Sequence, residues 1–143
     1  MTVLLWILII LFFPVIFLCI TQWIVNNKAN RPGWHVLIPF LNVYTRAKFS
    51  GTTKYFWIYA VCSLVSSYIS NMSDVSTIIL LIAIATAIAA FVAFVQIEHG
   101  VARVFGKENG FGVGLVLLPL IFYPILAFGG SKYNPELINK QKD

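Results

Sequence analysis

Long runs of apolar residues, broken by short polar stretches, set the reading of this chain. From Val3 to Val25 there are 23 positions without a charge. As a helix this run is about 34 Å long, enough to cross a bilayer with some tilt. A second run, Tyr55 to Asn71, opens with Tyr55 and Trp57 and closes near Tyr68, at the lower length limit for a span. Thr77 to Ile97 gives a third, with 21 uncharged residues, and Glu98 to Phe105 extends it as an amphipathic stretch that Gly106 can cap. Phe111 to Phe128 reads as the fourth, interrupted by Pro119 and Pro124. The expectation is four transmembrane helices, about 3–25, 55–71, 77–97 and 111–128, in one helical bundle domain over 1–143.

Between the first two runs the pattern changes. Asn26 to Gly33 is polar and turn-rich. In Trp34 to Phe49, apolar and aromatic residues recur at helical spacing, with Pro39 inside and Arg46 and Lys48 near the end. Its apolar core is too short to cross, so residues 34–49 read as an amphipathic helix lying flat in the interface or re-entering it, kinked or split at Pro39. The tail, 129–143, is polar, and Asn134-Pro135-Glu136 resembles a helix start.

Composition sharpens this picture. The chain has 143 residues, 59% hydrophobic and 10% charged, with a mean hydropathy of +0.87. A soluble domain carries about 25% charged residues to wet its surface, so an ordinary cytosolic enzyme, a disordered tail and a secreted disulfide scaffold are excluded. The first run is too long for a cleaved signal peptide, follows Met1-Thr2 without a positive charge, and precedes no small-x-small site. It therefore reads as a retained helix.

Net charge is +5, which in such a chain reports sidedness before it reports nucleic acid. Lys28, Arg31, Arg46, Lys48 and Lys54 fall between runs one and two, and Arg103 and Lys107 between three and four. Lys132, Lys140 and Lys142 lie in the tail and vote the other way. The balance predicts a multi-pass plasma-membrane protein with both long loops cytoplasmic and both termini outside. The expected partners are the lipid bilayer and either a membrane protein or further copies of the chain, with no nucleic acid.

Candidate chemistry is sparse. Gln96, Glu98, His99 and Arg103 form the densest polar cluster, placed by spacing at the interface, where a carboxylate costs little. It reads as an interfacial charge cluster, with a proton relay or headgroup site as the alternative. Ser63, Ser66, Ser67 and Ser70 share one helical face, and Ala85, Ala89 and Ala93 form a small-residue stripe on the next helix. Close packing of these two faces is the plain reading, and a polar substrate path is the functional one. Pro119 and Pro124 give a kink, or, in a transporter, freed carbonyls. Gly106, Gly110, Gly112 and Gly114 suit close packing rather than a phosphate cradle, which needs a preceding strand. No cofactor and no metal site is expected. Cys19 and Cys62 fit packing, and catalysis finds no HExxH motif and no convincing Ser-Lys pair. Ala47-Lys48-Phe49-Ser50-Gly51 weakly echoes Ala102-Arg103-Val104-Phe105-Gly106, as two helices stopped by glycine before the chain turns back.

Three segments carry a resemblance: Arg31-Pro32-Gly33-Trp34 with Ile38-Pro39-Phe40-Leu41-Asn42-Val43-Tyr44; Ala102-Arg103-Val104-Phe105-Gly106-Lys107 with Gly110-Phe111; and Leu118-Pro119 with Phe122-Tyr123-Pro124-Ile125-Leu126. Over about residues 28–133 the chain resembles a family of small bacterial integral membrane proteins of unknown function. Members often carry a second Ile-Pro-x-x-Asn element where this chain has Ile69-Ser70-Asn71-Met72-Ser73. Some carry signal-peptidase labels, but the Ser-x-Met motif and lysine strand of that enzyme are absent here. The resemblance implies a membrane fold and no activity. The resulting expectation is a non-enzymatic membrane component or accessory subunit. A small transporter or channel is the alternative, and a peptidase-like membrane hydrolase the third reading.

Overall fold

The computed structural model describes residues 1–74 and 76–140, and every regular element in them is helical. The first, α1, runs Thr2–Lys28 over 27 residues, with Pro14 inside it. A one-and-a-half-turn 3-10 helix, Gly33–Leu37, leads to α2, Pro39–Phe49. Then come α3, Thr53–Ser70, and α4, Thr77–Val104, which is a single helix of 28 residues. Two short helices follow, α5 (Asn109–Leu117) and α6 (Pro119–Phe128), then a terminal turn, α7 (Glu136–Asn139). By length and composition, α1 and α4 are apolar enough to cross a membrane.

Three helices stop in the same way, and local chemistry explains it. After α1, Asn30 takes φ 55°, and the N–H groups of Asn30 and Arg31 return to the carbonyls of Asn27 and Asn26. After α2 and α4, Gly51 (φ 73°) and Gly106 (φ 70°) hold the same left-handed position. Thr52 N–H then reaches Ala47 O, and Lys107 N–H reaches Ala102 O. These are Schellman closures, which need a residue that tolerates positive φ. They account for the echo between 47–51 and 102–106 as a shared helix stop.

The expected fourth span does not form. At Leu118 the backbone leaves the helical region (φ −132°, ψ 59°), and Pro119 becomes the first residue of a new helix. Pro disfavours a helical residue before it and suits the first helical turn. The Phe111 and Phe122 rings lie 5.0 Å apart, whereas 11 residues of continuous helix would separate them by about 16 Å. The chain therefore reverses between α5 and α6. Both ends of this hairpin lie at one end of the bundle. The Lys28 ammonium, at the end of α1, donates to Leu126 O and Gly129 O, each at 2.9 Å, and to Ser131 O. Beyond α6, Tyr133 donates to Phe49 O at 2.9 Å, and Asn134 N–H meets Val104 O at the end of α4. Burial pushes the Tyr133 phenol up, against the pull of Arg31, which keeps it a hydroxyl donor. Met1 and the described tail consequently sit at opposite ends, not on one side as the charge count had suggested.

Residues 33–49, earlier in the chain, make the first hairpin, and 109–128 is the second, of the same design. Phe40 packs near Tyr59, and Tyr44 against Phe56, so α2 runs antiparallel to α3 and begins well inside the bundle. Its tip, Val36-Leu37-Ile38-Pro39, matches the tip of the other, Val116-Leu117-Leu118-Pro119. The packing is reciprocal. Each outgoing limb lies on its own long helix, 33–37 on α1 and α5 on α4. Each returning limb crosses to the other unit, α2 to α4 and α6 to α1. A long helix plus a proline-tipped hairpin thus occurs twice, with exchanged limbs, and α3 is added outside against α4. The buried core follows: Val25, Phe49, Val101, Leu115, Tyr123 and Leu126 form one cluster, and Val43, Ala47, Phe56 and Ile97 another.

Candidate functional site

The crossing limbs bring polar side chains together where apolar ones would be expected. Arg46, from α2, hydrogen-bonds through Nη1 to Glu98 Oε1 on α4 and to Tyr123 Oη on α6, the latter at 2.5 Å. Tyr123 in turn donates to Glu98 Oε2 at 2.6 Å. Glu98 is 0% exposed, Tyr123 1% and Arg46 5%. The rings of Phe94 and Tyr123 flank the guanidinium, 5.6 and 5.8 Å from its central carbon. Charges this deep survive only when paired and hydrogen-bonded. Here both carboxylate oxygens are engaged, and the pair is neutral as a unit.

One turn before Arg46 on α2, Asn42 Nδ2 donates to Gln22 Oε1 on α1 at 2.6 Å. One turn further along each helix lie Asn26 and Arg46. Both helices run toward the end that carries Lys28 and Phe49, so these next turns follow the same direction. Asn26 is fully buried, and neither atom of its carboxamide has a partner. Asn42 Oδ1 and Arg46 Nε also lack one. His35 Nδ1 hydrogen-bonds Thr45 Oγ1 at 2.7 Å, tying the two limbs of the first hairpin together.

Of the polar cluster foreseen at residues 96–103, only Glu98 enters this centre. Its place on α4 turns it inward onto α2 and α6, where it is fully buried. His99 instead donates from Nδ1 to Val95 O at 2.8 Å and packs on Gly112. Gln96 and Arg103 are half-buried without a part in the centre. The serine face is divided. Ser66 Oγ bonds Thr86 Oγ1 at 2.7 Å across α3 and α4, and Ser70 bonds back to Ser66 O. Ser63 is half-buried and Ser67 exposed. Of the stripe on α4, Ala93 is buried, Ala89 half-buried and Ala85 exposed, so only its later part is packed. Gly112 and Gly114 are contact points, against His99 and Phe122, and Gly110 is open. Among the described residues no group of three His, Cys, Asp or Glu side chains could hold a metal.

Gln22, Asn26, Asn42, Arg46 and Tyr123 were not singled out by sequence as site residues. One signal was present: Gln22 and Asn26, like Asn42 and Arg46, are paired one helical turn apart.

A family described as a family of unknown function, DUF5684, matches residues 34–136. The chain belongs to this family. The match covers the hairpins from Trp34 onward, α3, α4 and the residues of the Arg46–Glu98–Tyr123 centre, and it leaves all of α1 outside. No curated protein and no solved structure matches the chain.

Proposed function

We propose that this chain is an integral plasma-membrane protein, in one bundle, that crosses the bilayer with α1, α3 and α4. In this reading the hairpins 33–49 and 109–128 enter from the cytoplasmic side and return to it, and the protein serves as a non-enzymatic membrane component or accessory subunit. The observation that carries the reading is the distribution of charge. Lys28, Arg31, Arg46, Lys48, Lys54, Arg103, Lys107, Lys132 and Lys140, all the basic residues described, belong to the end with Lys28 and Val104. Met1 and the turn after Asn71 carry none, and Asp74 is the acid there. With the second hairpin returning instead of crossing, the tail lysines join the other basic residues. The positive-inside rule then supports an outside N-terminus and a cytoplasmic tail.

Sidedness is tested by accessibility: cysteines introduced at Ser73 and Lys140 are labelled from outside intact cells with an impermeant maleimide. Labelling at 73 and protection at 140 is expected, and labelling at 140 overturns the returning hairpin. The component role is tested by mild-detergent purification from the native host. A reproducible stoichiometric protein partner supports the accessory-subunit reading.

A second reading, a small transporter, is favoured by one observation. Two parallel helix-hairpin units with broken limbs around a buried polar centre have the organisation of some carriers. Solute flux in liposomes that is lost in Arg46→Met protein retaining its fold would select it.

A further inference from the structure

We infer that α1 and the tip of the first hairpin form a site for one acyl chain of an anionic phospholipid in the cytoplasmic leaflet, with Arg31 facing its headgroup. The inference rests on the proposed membrane orientation. A cleft of about 400 Å³ runs along α1 and is closed on one side by Leu37; Val15, Cys19 and Trp23 mark its course, and no polar surface lines it. From Val15 to Trp23 the helix advances eight residue steps, about 12 Å. That is close to the depth of one leaflet, half of a hydrocarbon core of about 30 Å.

The cleft has a distinct headgroup end. Gly33 sits directly on the Trp23 indole, so closely that a Cβ there would fall 2.2 Å from Trp23 Cδ1. This contact holds the Arg31-Pro32-Gly33-Trp34 turn at the Trp23 end. Trp34 is 48% exposed there, and indoles favour the headgroup level. Lys28 is spent on the carbonyls ending α6, while Arg31 has no ion pair among the described residues. A guanidinium without an ion pair, carried on the turn that Gly33 holds against the Trp23 end of an apolar channel, matches a phosphate above an acyl chain. A partner helix fits poorly, since helices pair in lipid where Gly, Ala or Ser permit close approach, and large side chains border this cleft.

The test uses the full chain with Trp6, Trp34 and Trp57 changed to Phe, leaving Trp23 as the reporter. It is reconstituted in phosphatidylcholine vesicles containing chain-brominated phosphatidylglycerol or chain-brominated phosphatidylcholine. Bromine quenches only indoles it touches. The anionic lipid should reach half-quenching at an about fivefold lower mole fraction, corresponding to about 1 kcal/mol for one basic residue near a charged surface. Arg31→Gln should bring the two lipids together, with the helical circular-dichroism signal unchanged. Equal quenching by both lipids in the Arg31 protein overturns the site but leaves the membrane reading intact. Absence of quenching by either lipid overturns both.

Discussion

Tyr123 donates its hydroxyl to Glu98 Oε2 at 2.6 Å, joining the returning limb of the second hairpin to α4. They are 25 positions apart in the chain, with the whole α5 limb between them. A hydrogen bond to a buried charge is worth about 1.5–3 kcal/mol. Tyr123→Phe keeps the ring and removes only that bond and the contact with Arg46. It should lower stability by about this amount, read as an earlier midpoint in denaturant titration of the protein in detergent, with helix content retained before the transition. An unchanged midpoint would mean that the hydroxyl does not reach the carboxylate.

The ion pair makes a sharper prediction through its lack of additivity. Arg46→Met leaves the Glu98 charge buried alone, and Glu98→Met does the same to Arg46. Each change should cost about 3–5 kcal/mol, the usual penalty for stranding one member of a buried pair. Removing both should cost much less than the sum, because no charge is then stranded. The double-mutant cycle measures this directly. Additive losses would show that the two side chains act independently.

The glycines on α5 separate packing from flexibility. A Cβ on Gly112 would lie 2.9 Å from the His99 Cα, a backbone atom that cannot turn aside. Gly112→Ala should therefore push α5 off α4 and cost about 1–3 kcal/mol, the range for overpacked sites. A Cβ on Gly110 meets nothing within 4 Å. Gly110→Ala should be neutral or stabilising by about 0.5–1 kcal/mol, since alanine is the better helix former. Comparing the two variants in one detergent checks the prediction, and equal effects would contradict the close approach of α5 to α4.

Much of the helix map was legible because uninterrupted apolar runs leave few alternatives. Val3 to Val25 lies within α1, and Thr77 to Ile97 with its amphipathic extension is the single helix α4. The hairpin at Leu118-Pro119 was not legible. Proline ends a helix in the same way whether the chain then continues across or turns back, and both limbs are equally apolar. What distinguishes the outcomes is tertiary: Phe111 meeting Phe122 edge to face, and Lys28 reaching the carbonyls of α6. The same holds for the polar centre. Glu98 stood out as an ionisable residue next to a long apolar run, but its partner Arg46 lies 52 positions away. In sequence, Arg46 counted only toward sidedness.

Asn26 leads to a prediction whose sign is informative. Its side chain is fully buried, yet neither the oxygen nor the nitrogen of its carboxamide bonds to another protein group. A buried amide without partners costs about 1–3 kcal/mol. Leucine has nearly the same shape and no such cost, and its neighbour Val25 packs in the apolar cluster with Leu126. Asn26→Leu should thus raise the denaturation midpoint, while Asn26→Asp, which adds a charge at the same place, should lower it sharply. If leucine instead lowers the midpoint, the carboxamide is bonded to an occupant such as ordered water. The core between α1 and α2 would then be a polar site in use, and flux assays on the transporter reading would become the natural next step.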